Sequence, residues 1–150
     1  MTTTRGLAIS GRDSDSPDAT LPFRLEGIVV EGDHRGRELG YPTANVAMPF
    51  ETVVSEGVFA GIVERADGSV HRSAVSVGRR ETFYGSGGVI LVEAFLLDFS
   101  GDLYGERLAV TLVSFLRGQE QFSSVADLVT QIEIDVASVE LLIDPTVALY

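Results

Sequence analysis

A small antiparallel β-barrel closed by one C-terminal helix is the fold class that these 150 residues predict. Short strand-like runs bounded by Gly, Asp and Ser follow one another at close spacing. No helical pattern separates them, which argues against a parallel sheet with crossover helices. Only after Phe122 does the hydrophobic period change from that of a strand to that of a helix.

In chain order, residues 1–20 (MTTTRGLAISGRDSDSPDAT) are rich in Ser, Thr, Asp and Gly and carry no sustained hydrophobic period. They cannot bury enough surface to order themselves, so a disordered tail is expected ahead of a single domain over 21–150. FRLEGIVVEG begins the first strand-like run, just after Leu21. Further runs cover about 58–65, 70–78, 89–99 and 107–116, and the Asp67-Gly68 pair predicts a tight hairpin between the second and third of the five. Ser123 and Ser124 then offer helix N-caps, and Asp127 completes an S-x-x-D capping pattern. Val125, Leu128, Val129, Ile132, Val136 and Val139 follow at helical spacing, and no internal repeat is visible.

Composition narrows the chemistry. At 45% hydrophobic and 22% charged, the chain has the material for one packed core. No apolar run approaches the ~20 residues that span a bilayer, and no signal pattern opens the chain, so a cytoplasmic protein without membrane contact is expected. With no cysteine there is neither a disulfide framework nor a thiolate metal site. A formal charge of -11 opposes nucleic-acid binding. All 11 basic residues are arginine, so a Walker loop and a protein-kinase site, each of which needs a lysine, are excluded. If the chain handles ATP, backbone N–H groups, a divalent cation and arginine must supply the positive charge.

The densest segment for such chemistry is Gly32–Asn45, where Gly32, Gly36 and Gly40 lead into Pro42-Thr43-Ala44-Asn45. Glycines leave N–H groups unshielded and tolerate positive φ, which suits a loop folded over phosphates; an ordinary surface loop has the same spacing. Thr43 and Asn45 offer two neutral oxygens on one side of an extended stretch, as magnesium accepts when phosphates share its shell, or they merely close a turn. In VILVEAFLLDF, alternation places Glu93 with Leu91, Phe95, Leu97 and Phe99, a lone carboxylate among apolar neighbours. Desolvation there makes it a better proton acceptor, whereas a position at the barrel rim leaves it in water. His34 and His71, the two histidines, are read as exposed.

Seven blocks in order now add up to a resemblance over about residues 23–142. They are GIVVEG from Gly27, GRELGYPTAN, GVFAG from Gly57, VGRRETF, VEAFLLDFSGDLYG, FLRGQEQF and LVTQIEID. The chain resembles the riboflavin kinase family, the module that forms the C-terminal half of bacterial bifunctional FAD synthetases. The resemblance implies a six-stranded antiparallel Greek-key barrel with a C-terminal helix. It also implies transfer of the terminal phosphate of ATP to the 5'-hydroxyl of riboflavin, giving FMN with Mg2+.

By the same resemblance, Gly32, Gly36, Arg37, Gly40 and Pro42 belong to a flap over the nucleotide, and Thr43 and Asn45 hold magnesium and phosphate oxygens. Glu93 is the catalytic base and Arg117 lies near the flavin, with an ion-pair role as its alternative. Asp98–Gly105 is a turn beside the nucleotide, with Asp102 capping it. The adenylyltransferase half of the bifunctional enzymes is absent from these residues, so FMN from a monomeric enzyme is the expected end point. Two departures from the family pattern stand out: Glu81 replaces proline in G-x-R-P-T-F, and Phe95 replaces a histidine. They keep open an alternative, a catalytically weak flavin-binding or regulatory module of the same fold.

Overall fold

The computed structural model describes residues 21–32, 35–49, 51–81 and 88–146. The expected tail, His34, Thr82 and Phe83 lie outside the described residues, as does the side chain of Glu81.

Strand β1 (Phe23–Val30) alternates as its sequence demands, burying Leu25 and Val29 while Arg24, Glu26, Ile28 and Val30 face out. A single helical turn, α1 (Arg35–Glu38), follows, and the chain then enters β2 (Ala44–Pro49). Strand β3 (Gly57–Glu64) and β4 (Val70–Glu81) form the predicted hairpin, with Gly68 at φ +90° and the Ser69 N–H on Asp67 Oδ1 at 2.9 Å. Strands β5 (Gly88–Leu96) and β6 (Arg107–Arg117) complete the barrel. Its order is β1-β2-β5-β4-β3-β6, closed by pairing of β6 with β1, and every pairing is antiparallel. Closure leaves no unpaired edge.

The pattern of residues marks five of these strands to within three residues; the sixth, β2, reads in sequence as a turn. Its residues ANVAMP contain no clean alternation, asparagine disfavours strands, and prolines stand just before and at its end. Neighbours on both sides override that local preference. The run expected over 89–99 also stops early, at Leu96, because Asp98 adopts φ +57° and breaks the alternation.

Inside the barrel, Phe59, Val63, Val75, Ile90, Val92 and Leu112 are among the fully buried side chains. Phe115 meets Phe59 edge-on at 5.4 Å. Helix α2 (Val125–Leu142) starts where the capping pattern places it: Ser124 Oγ accepts the Asp127 N–H at 3.1 Å. It lies on the outside of the barrel, where Val139 and Ile143 pack with Ala60 and Leu97. Ala60 pairs with Ala74 across β3 and β4, and two small side chains there let the helix approach. Not every apolar helix position is buried in this contact: Val125 is exposed, and Leu128 and Ile132 line a cleft between helix and barrel. Among the described residues, no helix is long and apolar enough to cross a membrane.

Candidate active site

Register brings the candidate residues together. Asn45 on β2 pairs with Glu93 on β5, Glu93 with Ser76 on β4, Ser76 with Val58 on β3, and Val58 with Arg117 on β6. Directly paired residues share a face, so one line across five strands carries them on the outer surface of the barrel. The opposite face of β5, Ile90, Val92, Ala94 and Leu96, fills the core.

Two clefts flank this line. The larger, of about 540 Å3, lies between α2 and the barrel and is walled by Tyr41, Phe95, Phe122, Leu128 and Ile132, with Glu93 and Arg117 on its surface. Phe95 meets Tyr41 edge-on at 5.3 Å, so the residue that departs from the family pattern packs as part of this wall. The smaller cleft, of about 190 Å3, is lined by Gly32, Arg37, Pro42, Thr43 and Asn45 on one side and by Asp102 and Tyr104 on the other. Among the described residues, Thr43 alone lines both. Two further hollows adjoin them: one of about 340 Å3 connects Gly32 and Asn45 to Arg80 and Glu93, and an open one of about 570 Å3 lies over Ser76, Arg80, Glu93 and Gln119.

The glycine segment divides between the two sides. Gly32 borders the smaller cleft because nothing larger fits: a Cβ there would sit 2.6 Å from Asn45 Cγ. Gly36 lines the larger cleft instead, and its carbonyl accepts the Tyr41 N–H at 2.7 Å. Gly40 touches neither cleft; at φ +90° it reverses the chain after α1, with its N–H on Arg37 O at 3.1 Å.

Glu93 is not the isolated carboxylate that the strand pattern suggests. Its side chain is 28% exposed, and Arg80 Nη2 stands 3.2 Å from its Oε2. The sequence could not show this neighbour, because Arg80 reaches Glu93 only through the pairing of β4 with β5. Alternation along β4 does place Arg80 on the face of Ser76, which is the signal that the VGRRETF block carries.

Arg117 lines the larger cleft, yet its guanidinium is also engaged. Its Nε and Nη2 donate to the two carboxylate oxygens of Asp135 at 3.0 and 2.8 Å, and its Nη1 to Gly118 O at 3.0 Å. Asp135 is buried on α2, where this bidentate pair offsets the cost of burying its charge, and it also accepts from Gln131 at 3.1 Å. Gln119 pins the following loop, donating to Ser76 Oγ and Val77 O, each at 2.9 Å.

The 98–105 turn closes the far wall of the smaller cleft, with the Tyr104 N–H on Asp102 Oδ1 at 3.0 Å. His71, expected to be exposed, is half-buried, edge-on to Phe99 at 5.3 Å. The hairpin turn before it delivers its ring onto the loop rather than into water.

Buried Asn45 makes no side-chain hydrogen bond among the described residues. A buried amide without a partner is costly, so it suits a ligand that completes its shell. No cluster of three His, Cys, Asp or Glu side chains able to hold a metal exists among the described residues.

Known proteins share this architecture. The riboflavin kinase family model matches residues 19–143. The bifunctional riboflavin kinase/FMN adenylyltransferase of Pseudomonas fluorescens is 38% identical over 141 residues, covering 93% of this chain and 45% of that protein. This chain therefore spans less than half the length of that relative. Among solved structures, a macrolide-efflux protein from Streptococcus pneumoniae aligns with a TM-score of 0.67 at 34% identity, over 79% of this chain and 38% of that one. A riboflavin kinase from Trypanosoma brucei aligns with a TM-score of 0.57 at 25% identity, over 84% and 83% of the two chains. The matched residues run from ahead of β1 to the end of α2 and take in both clefts, and the chain belongs to the riboflavin kinase family.

Proposed function

We propose that this chain transfers the terminal phosphate of ATP to the 5'-hydroxyl of riboflavin, forming FMN and ADP. The observation that supports this most strongly is the position of Glu93, on the wall of the large aromatic cleft and directly paired with Asn45 of the small polar one. A flat tricyclic ring suits the cleft of Tyr41, Phe95 and Phe122, where burial of aromatic surface supplies affinity. Phosphates suit the smaller cleft, with Arg37 and the unshielded backbone of Gly32 beside them.

Thr43 and Asn45 fit a magnesium ion carried by ATP. Both are neutral oxygen donors, Asn45 is buried without a side-chain partner among the described residues, and a side chain at Gly32 would fill the space beside it. Magnesium commonly keeps waters and phosphate oxygens in its shell, so two protein oxygens are enough. Bound there, it neutralises charge on the phosphate oxygens.

In the reaction, the riboflavin hydroxyl oxygen attacks the terminal phosphorus while its proton passes to the Glu93 carboxylate. The bond from that phosphorus to the bridging oxygen breaks, and ADP leaves with the electron pair. Phosphoryl transfer depends mainly on positioning and charge neutralisation, to which a base adds ~10²–10⁴-fold. Arg117, fixed by Asp135, shapes the flavin side of the cleft.

Incubating the purified chain with riboflavin, ATP and magnesium, and resolving the flavins by chromatography, tests the reading. FMN is expected with ATP, and little with CTP or without metal. No FMN, with riboflavin fluorescence still quenched by the protein, replaces the kinase reading with that of a flavin-binding module.

A further inference from the structure

The chain has no lysine, so any cation that meets the transferring phosphate from a side chain must be an arginine or a histidine. The arginines near the clefts are not equivalent. Arg117 is locked to Asp135 and Gly118, and Arg79 donates to Val54 O at 2.9 Å and Thr52 O at 3.3 Å. Arg37 lines only the nucleotide side. Arg80 is different in two respects. It borders the large cleft and the hollow shared with Gly32 and Asn45, so it faces the junction of the two substrates. Among the described residues it pairs with Glu93, at 3.2 Å, and its side chain is 57% exposed, which leaves it room to take up another rotamer.

Resting on the riboflavin kinase reading, we propose that Arg80 is a further catalytic residue that exchanges partners, pairing with Glu93 in the unliganded chain and donating to the terminal phosphate oxygens of ATP during transfer. The exchange answers a conflict in the site. A carboxylate beside an incoming phosphate meets like charge, and an arginine between them relieves the repulsion. A guanidinium can bridge a carboxylate and a phosphate because its donors point in more than one direction. When Arg80 turns to the phosphate, its hold on Glu93 Oε2 is released. The transfer then proceeds as above: the oxygen–phosphorus bond forms, the proton goes to Glu93, and ADP departs with the bridging-bond electrons.

Arg80→Gln and Arg80→Lys, exposed changes that leave the core intact, test this against wild type in two ways. Steady-state kinetics should show kcat lowered by roughly 10²–10³-fold in Arg80→Gln with the riboflavin KM little changed, and partly restored in Arg80→Lys. Calorimetry should show that wild type binds a non-hydrolysable ATP analogue with magnesium more tightly than it binds ADP, and that Arg80→Gln loses this preference. Wild-type turnover matched by Arg80→Gln overturns the proposal alone. So does a kcat loss with the analogue preference intact, which reduces Arg80 to an anchor for Glu93. Absence of FMN from wild type removes the kinase reading itself, and the proposal with it.

Discussion

Asn45 concentrates the chemistry of the site in one side chain. Its amide is largely buried at the edge of the smaller cleft and makes no side-chain hydrogen bond among the described residues, so it is placed to meet a ligand there. Asn45→Ala separates the two roles. The magnesium concentration for half-maximal turnover should rise roughly tenfold or more, as losses in a metal's surroundings commonly do. The melting temperature should hold, because no side-chain hydrogen bond among the described residues is lost. A magnesium requirement that does not move would take Asn45 out of the metal site. The residue type and the Pro-Thr-Ala-Asn context were legible in sequence; the orphaned amide was not, since it depends on where Gly32 of another segment comes to lie.

Among elements, the 98–105 turn depends on a distant pair. Arg65, at the end of the β3–β4 hairpin, donates to both oxygens of Glu106 at 3.0 Å, and Glu106 also accepts the Ala66 N–H at 3.2 Å. The same guanidinium lies 5.2 Å from the centre of the Phe99 ring, which borders the smaller cleft. Hydrogen bonds from Arg65 hold the Glu106 carboxyl below the ordinary glutamate range. A carboxyl depressed in the folded state contributes stability above its unfolded pKa and loses it as pH falls through the folded value. Glu106→Gln should therefore melt lower than wild type near neutrality, and the gap should close below the ordinary glutamate range. Scanning calorimetry across that span checks it, and a gap of constant size at every pH would assign the loss to packing instead.

The elements themselves were unequally legible. The Asp67-Gly68 hairpin and the Ser124–Asp127 cap are local devices, spelled out within a few residues, and both form where the sequence places them. Strand β2 is set by its neighbours, so its own residues could not announce it.

At the scale of the whole molecule, barrel closure is what makes a site from scattered blocks. Asn45, Glu93, Ser76, Val58 and Arg117 fall in one line only because the strand order places β5 between β2 and β4 and β3 between β4 and β6. Alternation placed Glu93 on a face with Leu91 and Phe95, but neither Arg80 beside it nor Asp135 behind Arg117 can be read without this register. The central claim is that each substrate has its own cleft and that Glu93 moves the proton where they meet. Comparing Glu93→Gln with wild type tests it most directly, with riboflavin binding followed by fluorescence, ATP-magnesium binding by calorimetry, and FMN formation on the same preparations. Both ligands should bind as in wild type while turnover falls by ~10²–10⁴-fold. Undiminished turnover in Glu93→Gln would contradict the account.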